Sequence, residues 1–330
     1  MNILIVGYGS IGSRHCKLLR QLYPNADIRI LRHKHHGSIP DYATDVFYSI
    51  DEALKFNPSF AVICNPASQH IPISMHLAKE KINLLIEKPI SDTLANLSEF
   101  CKIVTDSKIK VMVGYNLRFL DSLIKFKSLL QNNFIGEVHS AYIEATSYLP
   151  NWRPNIDYRN SVSSQKKLGG GVLLELSHEI DYIKWIFGDV KWVKGNISKL
   201  GNLDIDVEDS AHVWMEIEKQ NKSKVSIILN LNFISRVNTR FCKVIGSQGM
   251  LLWDGLTNSI LYCADNENSF KVIHNFEKNI EDTYLKELQY FIKCLHENKE
   301  PLISLRDSME VLSIIEAIKQ SSQNDEIIFL

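Results

Sequence analysis

Directly after a short apolar run, Asn2–Val6, the chain reads Gly7-Tyr8-Gly9-Ser10-Ile11-Gly12, and a helix-like stretch, Ile11–Leu22, follows without a break. A GxGxxG pattern alone is weak, but between a strand and a helix it predicts a dinucleotide-binding turn. Gly7 permits the tight turn, Gly9 lets backbone approach a pyrophosphate, and Gly12 lets the helix pack on the strand. Ser10 and Ile11 open a helix whose free N–H groups and positive dipole end suit phosphate. The competing interpretation is an ordinary βα turn that happens to be rich in glycine.

The segments that follow repeat this alternation. Short apolar runs at Ile28–Leu31, Phe60–Cys64, Leu84–Ile86 and Val111–Val113 are separated by helical patterns at about Ser68–Lys81 and Leu94–Ser107. Such alternation predicts a doubly wound parallel sheet buried on both faces. Beyond Leu117 the pattern changes to longer strands: Val138–Tyr148, Ala211–Glu218, Lys224–Asn232, Phe241–Ile245 and Leu251–Asp254. Val225, Ile227, Leu229 and Leu231 alternate with polar residues, which predicts an antiparallel sheet with one packed and one free face. The Ser/Gly/Lys-rich stretch from Asn160 to Gly171 is expected to be a mobile loop. Tyr284, Leu285, Leu288, Phe291, Ile292 and Leu295 form a helical stripe taken as core, and a last helix is expected over Asp307–Gln320. The fold class is therefore α/β: an N-terminal doubly wound domain, residues 1–118, and a C-terminal α/β domain with a large open, mostly antiparallel sheet, residues 119–330.

Composition closes off other classes. A chain of 330 residues is long enough for about two domains of roughly 150 residues and needs no staple to fold. The net charge of −1 argues against a general nucleic-acid binder, which requires a basic surface. Six scattered cysteines without a CxxC pair argue against thiolate metal sites and a disulfide framework. No basic, apolar and cleavage-site sequence opens the chain, and no apolar run approaches the ~20 residues of a membrane span, so a cytoplasmic location is expected.

The acid that would bind the ribose 2′-hydroxyl of NAD is expected about 20 residues past the glycine loop. There the chain reads Arg32-His33-Lys34-His35-His36. A guanidinium suits a 2′-phosphate, so NADP is preferred over NAD, against the alternative of a solvated basic loop. The clustered histidines are not expected to hold a metal, because neighbours on one loop seldom converge on one ion.

Two further segments sit at carboxyl ends of expected parallel strands: Asn65-Pro66 with His70 four residues on, and Glu87-Lys88-Pro89. With these pieces the sequence resembles the Gfo/Idh/MocA oxidoreductases, relatives of glucose–fructose oxidoreductase and inositol dehydrogenase. The matching stretches are Gly7–His15, Cys64–His70, Glu87–Pro89, Gly114–Phe119 and Gly169–Gly188. The resemblance implies a Rossmann domain, a second domain on an open sheet, a substrate cleft between them, and a homodimer or homotetramer formed through that sheet. It implies NAD(P)-linked redox chemistry at a sugar or cyclitol carbon, cofactor contacts from Asn65, Pro66, His70, Glu87 and Lys88, Lys88 beside the reacting hydroxyl, and His178 as its partner in proton transfer. The chemistry agrees: hydride leaves a CHOH carbon only as the hydroxyl proton departs, and lysine and histidine both handle such protons.

One position departs from the family pattern. Relatives often carry an aspartate four residues before the histidine; here Leu174 stands there and Glu175 follows it. Glu175, His178 and Asp181 are spaced to share one side of a helix, so Glu175 either replaces the aspartate or orients His178. Trp152, Arg153, Tyr158 and Arg159, with Lys166 and Lys167 downstream, suggest stacking on a sugar ring and a fork onto an anionic group. Arg118 and Tyr115 are expected to border the same cleft. The substrate expected is a small carbohydrate, anionic or nucleotide-linked. The alternatives are an imine or non-sugar carbonyl reductase, or a non-catalytic NAD(P)-binding regulatory or sugar-sensing protein.

Overall fold

The computed structural model describes residues 1–33, 38–218 and 222–330. The chain forms two compact units: Met1–Asn116 with Glu281–Leu312, and Leu117–Ile280 with Ser313–Leu330. The chain passes between the units three times, at 116/117, 280/281 and 312/313, so residues 281–312 group in space with the N-terminal segment.

The first unit is built on six strands, β1 (Asn2–Val6), β2 (Asp27–Leu31), β3 (Asp45–Phe47), β4 (Phe60–Ile63), β5 (Asn83–Glu87) and β6 (Val111–Gly114). They run in the order β3-β2-β1-β4-β5-β6, every neighbouring pair parallel. Ile3, Leu4 and Ile5 of β1 and all of β4 are almost fully buried, which is why these strands are apolar at successive positions. The order reverses between β1 and β4, where open α/β sheets bind their ligands. Helices α1 (Ser10–Leu22), α2 (Ile50–Lys55), α3 (His70–Lys79) and α4 (Leu97–Ser107) connect the strands. Neither β3 nor α2 was expected from the sequence, although α2 opens on a recognisable signal. Ser49 accepts from the Glu52 N–H while Glu52 accepts from the Ser49 N–H, a complete capping box.

The second unit follows with α5 (Asp121–Gln131), β7 (Val138–Tyr148), α6 (Val172–Glu175) and α7 (Ser177–Phe187). Seven strands come next: β8 (Val190–Ser198), β9 (Ser210–Glu218), β10 (Lys224–Asn232), β11 (Ile234–Gly246), β12 (Gly249–Asp254), β13 (Ser259–Ala264) and β14 (Lys271–Asn275). Helices α8 (Ile280–Glu297) and α9 (Leu305–Asn324) and a short β15 (Ile328–Phe329) end the chain. The sheet of nine strands runs β14-β13-β12-β11-β7-β10-β9-β8-β15, antiparallel except at β7–β10. In β10 the residues Val225, Ile227, Leu229 and Leu231 point to the packed face, as the alternation predicted.

Helix α8 belongs to the first unit despite its place near the end of the sequence. Phe291 meets Phe60 edge to face at 5.7 Å, and the Thr283 hydroxyl accepts from the Asn116 side chain at 2.8 Å. Leu288, Phe291 and Ile292 are buried, so the stripe is core, as expected. Among the described residues no helix is long and apolar enough to cross a membrane.

Candidate active site

The glycine loop leaves β1 at the reversal point of the parallel sheet. Gly7 has φ +87°, and a Cβ there would lie 2.8 Å from the Asn65 backbone nitrogen, so geometry and space both demand glycine. A Cβ on Gly12 would lie 2.3 Å from the Gly7 carbonyl oxygen, so this residue seats α1 against the turn. Gly9, the N-cap of α1, faces open space where an added Cβ meets nothing within 4 Å. Backbone N–H groups at Ser10 and Ile11 start the helix there, so the loop has the room and the donors that a pyrophosphate needs.

Arg32 follows β2 and stacks its guanidinium over the Tyr8 ring at 4.7 Å, placing a fixed cation beside the glycine loop. The Tyr8 hydroxyl in turn donates to the Asp41 carbonyl at 2.9 Å. His33 is exposed. Lys34, His35 and His36 lie outside the described residues.

Asn65 and Pro66 follow β4, and Glu87-Lys88-Pro89 ends β5, so these turns and the glycine loop stand on the neighbouring strands β1, β4 and β5. His70 ties two of them together. It is 1% exposed, with Nε2 2.8 Å from the Asn65 carbonyl and Nδ1 2.9 Å from the Pro89 carbonyl. Burial pulls its imidazole below the ordinary histidine pKa, while the two carbonyl acceptors pull the other way. A ring enclosed in this way holds the two turns together. Glu87 is also buried, and its Oε1 accepts from the His15 ring at 2.6 Å while its Oε2 accepts the Lys88 N–H at 3.3 Å. It too underpins the turn. Lys88 itself is half-buried, and the Lys88–Pro89 peptide is cis.

In the second unit, Glu175 closes α6 and His178 lies in the first turn of α7, with Leu176 breaking the helix between them at φ −99°, ψ 27°. The three acids and bases thus do not ride on one continuous helix. Glu175 accepts from the Ser163 hydroxyl at 2.9 Å. Asp181 receives both arms of Arg118, at 2.9 and 2.7 Å, with the pair 1% and 4% exposed. Arg118 and Asp181, both expected at the substrate, form an internal fork that pins the residues after β6 to α7; burying a guanidinium demands such a partner. Tyr115 is likewise enclosed. His178 is buried at 9% exposure.

The expectation of a mobile loop at 160–171 is corrected. The stretch winds through successive short 3₁₀ turns, and Ser161, Ser163 and Ser164 are buried within it. The Ser164 hydroxyl donates to the Arg159 and Ser161 carbonyls, which lets small polar residues pack like core. Trp152, Arg153, Tyr158, Ser161 and Ser163 line one small cavity with Leu149 and Ile156. Trp152 sits edge to face on Phe233 and donates to Ser147. Arg159 is turned away into an ion pair with Asp157, and Lys166 and Lys167 are exposed.

Both halves of the chain match one family. Residues 1–115 match its NAD-binding Rossmann fold, and residues 127–329 match its C-terminal alpha/beta domain.

The chain belongs to the Gfo/Idh/MocA oxidoreductase family.

Among its relatives, the myo-inositol 2-dehydrogenase of Thermotoga maritima is 23% identical, covering 97% of this chain and 96% of its own. The inositol 2-dehydrogenase of Rhizobium meliloti is 24% identical over 96% and 95%. The fold is shared with levoglucosan dehydrogenase solved with NADH, at TM-score 0.84 and 17% identity, covering 100% and 98% of the two chains. It is shared too with the WlbA dehydrogenase of Bordetella pertussis solved with NADH and UDP-GlcNAcA, at TM-score 0.80 and 17% identity over 100% and 98%.

As a Gfo/Idh/MocA protein the chain carries two residues of interest that its sequence did not disclose. Glu208 is half-buried against the glycine before α6: its carboxylate would clash with a Cβ on Gly171 and accepts from the Leu173 N–H at 3.2 Å. Burial pushes this carboxyl upward. Glu287, on α8 between Tyr284 and Leu288, is completely buried and breaks an otherwise apolar stripe. A charged residue inside a core stripe is the signal that could have found it.

Proposed function

We propose that this family member is an NAD(P)-dependent dehydrogenase or reductase that moves hydride between the nicotinamide and a CHOH/C=O carbon of a sugar, anionic or nucleotide-linked. What carries the reading is the strand order: the glycine loop, the Asn65 turn and Lys88 stand at the carboxyl ends of three adjacent parallel strands. The open space at Gly9 and the N-terminus of α1 fit a bound pyrophosphate. Bound nicotinamide would supply the hydride acceptor. The protein's own task is the proton. When the carbon gives up hydride its hydroxyl must lose a proton, and His178 takes it as general base while the Lys88 ammonium stabilises alkoxide character on the oxygen. Glu175, hydrogen-bonded to Ser163, is the third member of the proposed proton-handling set.

NADP is the preferred nucleotide in this reading, because Arg32 rather than an acid follows β2 and its stacking on Tyr8 presents a cation where a 2′-phosphate would sit. Trp152, Arg153 and Tyr158 come together around one small cavity, and an aromatic face beside a guanidinium is a pairing suited to both parts of an anionic sugar. A related dehydrogenase solved with UDP-GlcNAcA is consistent with that class.

The test is a fluorescence titration with NADPH and NADH, with Arg32→Asp and Lys88→Met alongside, followed by a turnover screen of sugars. Expected are tighter NADPH binding, a preference reversed in Arg32→Asp, and retained binding with turnover lowered about 10²–10⁴-fold in Lys88→Met. Binding of neither nucleotide to the wild type sinks the proposal.

A further inference from the structure

We propose that Glu287 is a positioning residue that stays a neutral carboxylic acid and, through Glu87, fixes the turn bearing Lys88. The role in positioning rests on the reading of Lys88 given above. Glu287 on α8, Glu87 at the end of β5 and His15 on α1 bring their polar atoms within 4.8 Å of one another, all three buried. Two carboxyl groups this close and this far from water repel one another when both are ionised, and a proton held on one relieves that repulsion.

The hydrogen bonds decide which. Glu87 is engaged on both oxygens, by the His15 ring on one and by the Lys88 N–H on the other. Glu287 has no such donor: among the described residues neither of its buried oxygens has a hydrogen-bond partner. The proton therefore rests on Glu287, and burial, with the Glu87 charge second, pushes its carboxyl well above the usual range. The other groups facing the cluster do not reverse this. Cys16 on α1 and Cys64 after β4 are thiols held neutral by burial, as is the Tyr284 phenol on α8. His70 on α3 is pulled toward its neutral form by burial. Arg14 on α1 directs its guanidinium over the Tyr284 ring at 4.7 Å. An ion shared by the three is disfavoured, since ligands about 2.0–2.2 Å from a metal stand farther apart than the 2.6 Å of His15 and Glu87.

The experiment combines infrared spectroscopy, metal analysis and kinetics on the full-length protein. At about pH 7 the wild type should show a neutral carboxylic C=O band that Glu287→Gln removes. Glu287→Gln, a neutral isostere, should keep kcat and its pH profile close to wild type, whereas Glu287→Ala should lower kcat about tenfold to a hundredfold with nucleotide affinity retained. If Glu287→Ala does not fold, the infrared band and the Gln variant decide. A missing band, one equivalent of bound divalent metal, or unchanged kcat in Glu287→Ala would overturn the proposal. Undiminished turnover in Lys88→Met would instead defeat the assignment of Lys88, and the band would still report on Glu287 alone.

Discussion

Arg118 and Asp181 show how much a single buried pair determines. A guanidinium and a carboxylate at 2.7 Å, nearly free of solvent, are tolerable together and costly apart. Asp181→Ala should destabilise the protein by about 3–5 kcal/mol, since it leaves a buried cation facing a gap. Denaturant unfolding would show it, and a loss under about 1 kcal/mol would mean water already reaches the pair. His70 gives a pH-dependent case. Its folded pKa lies below the unfolded value of about 6.5, so below that pH the unfolded chain binds more protons. Stability should therefore fall as pH drops from about 6.5 toward the folded pKa, and be fully present above it. His70→Gln should flatten that acid limb while leaving the slope above about pH 7 unchanged, as measured by chemical denaturation across pH.

At the scale of elements, the turn from β1 into α1 is the most constrained piece of the chain. Gly12→Ala forces a Cβ to 2.3 Å from the Gly7 carbonyl, which only a shift of α1 relieves. The expected result is a loss of about 1–3 kcal/mol in stability with nucleotide affinity at least tenfold weaker, read by thermal melts and titration. The same local rules explain what was legible beforehand. Strands buried on both faces announce themselves as unbroken apolar runs, and β10 by its alternation, so both sheets and the family resemblance could be derived from residues alone. Loop-like composition misled at Ser161–Ser164, because a hydroxyl that donates to a nearby carbonyl packs as compactly as a small apolar group. The fork between Arg118 and Asp181 was hidden for another reason. The two residues stand 63 positions apart, and nothing in either segment says that each will meet the other rather than a ligand.

Across the whole molecule, the free face of the nine-stranded sheet stands out. Trp214, Ile228 and Tyr142 lie opposite one another on β9, β10 and β7, each more than 40% exposed, with Trp192 edge to face against Trp214. We propose this row as a self-association surface, because neighbouring apolar side chains on an exposed sheet face gain most by covering one another. Ile228→Lys should convert a dimer or tetramer into monomer in light scattering without altering the melting profile of the isolated chain; a wild type that is monomeric at every concentration would dismiss the surface.

The seat of α8 has a temporal side. Phe60 and the His15–Glu87 pair emerge from the ribosome early, but Phe291 and Glu287, which cover them, are synthesised some two hundred residues later. The nascent Rossmann segment must therefore wait with an open apolar and acidic groove while the whole sheet of the second unit is made. Loops of that span close slowly, so this groove is where a chaperone would find its longest-lived foothold during synthesis.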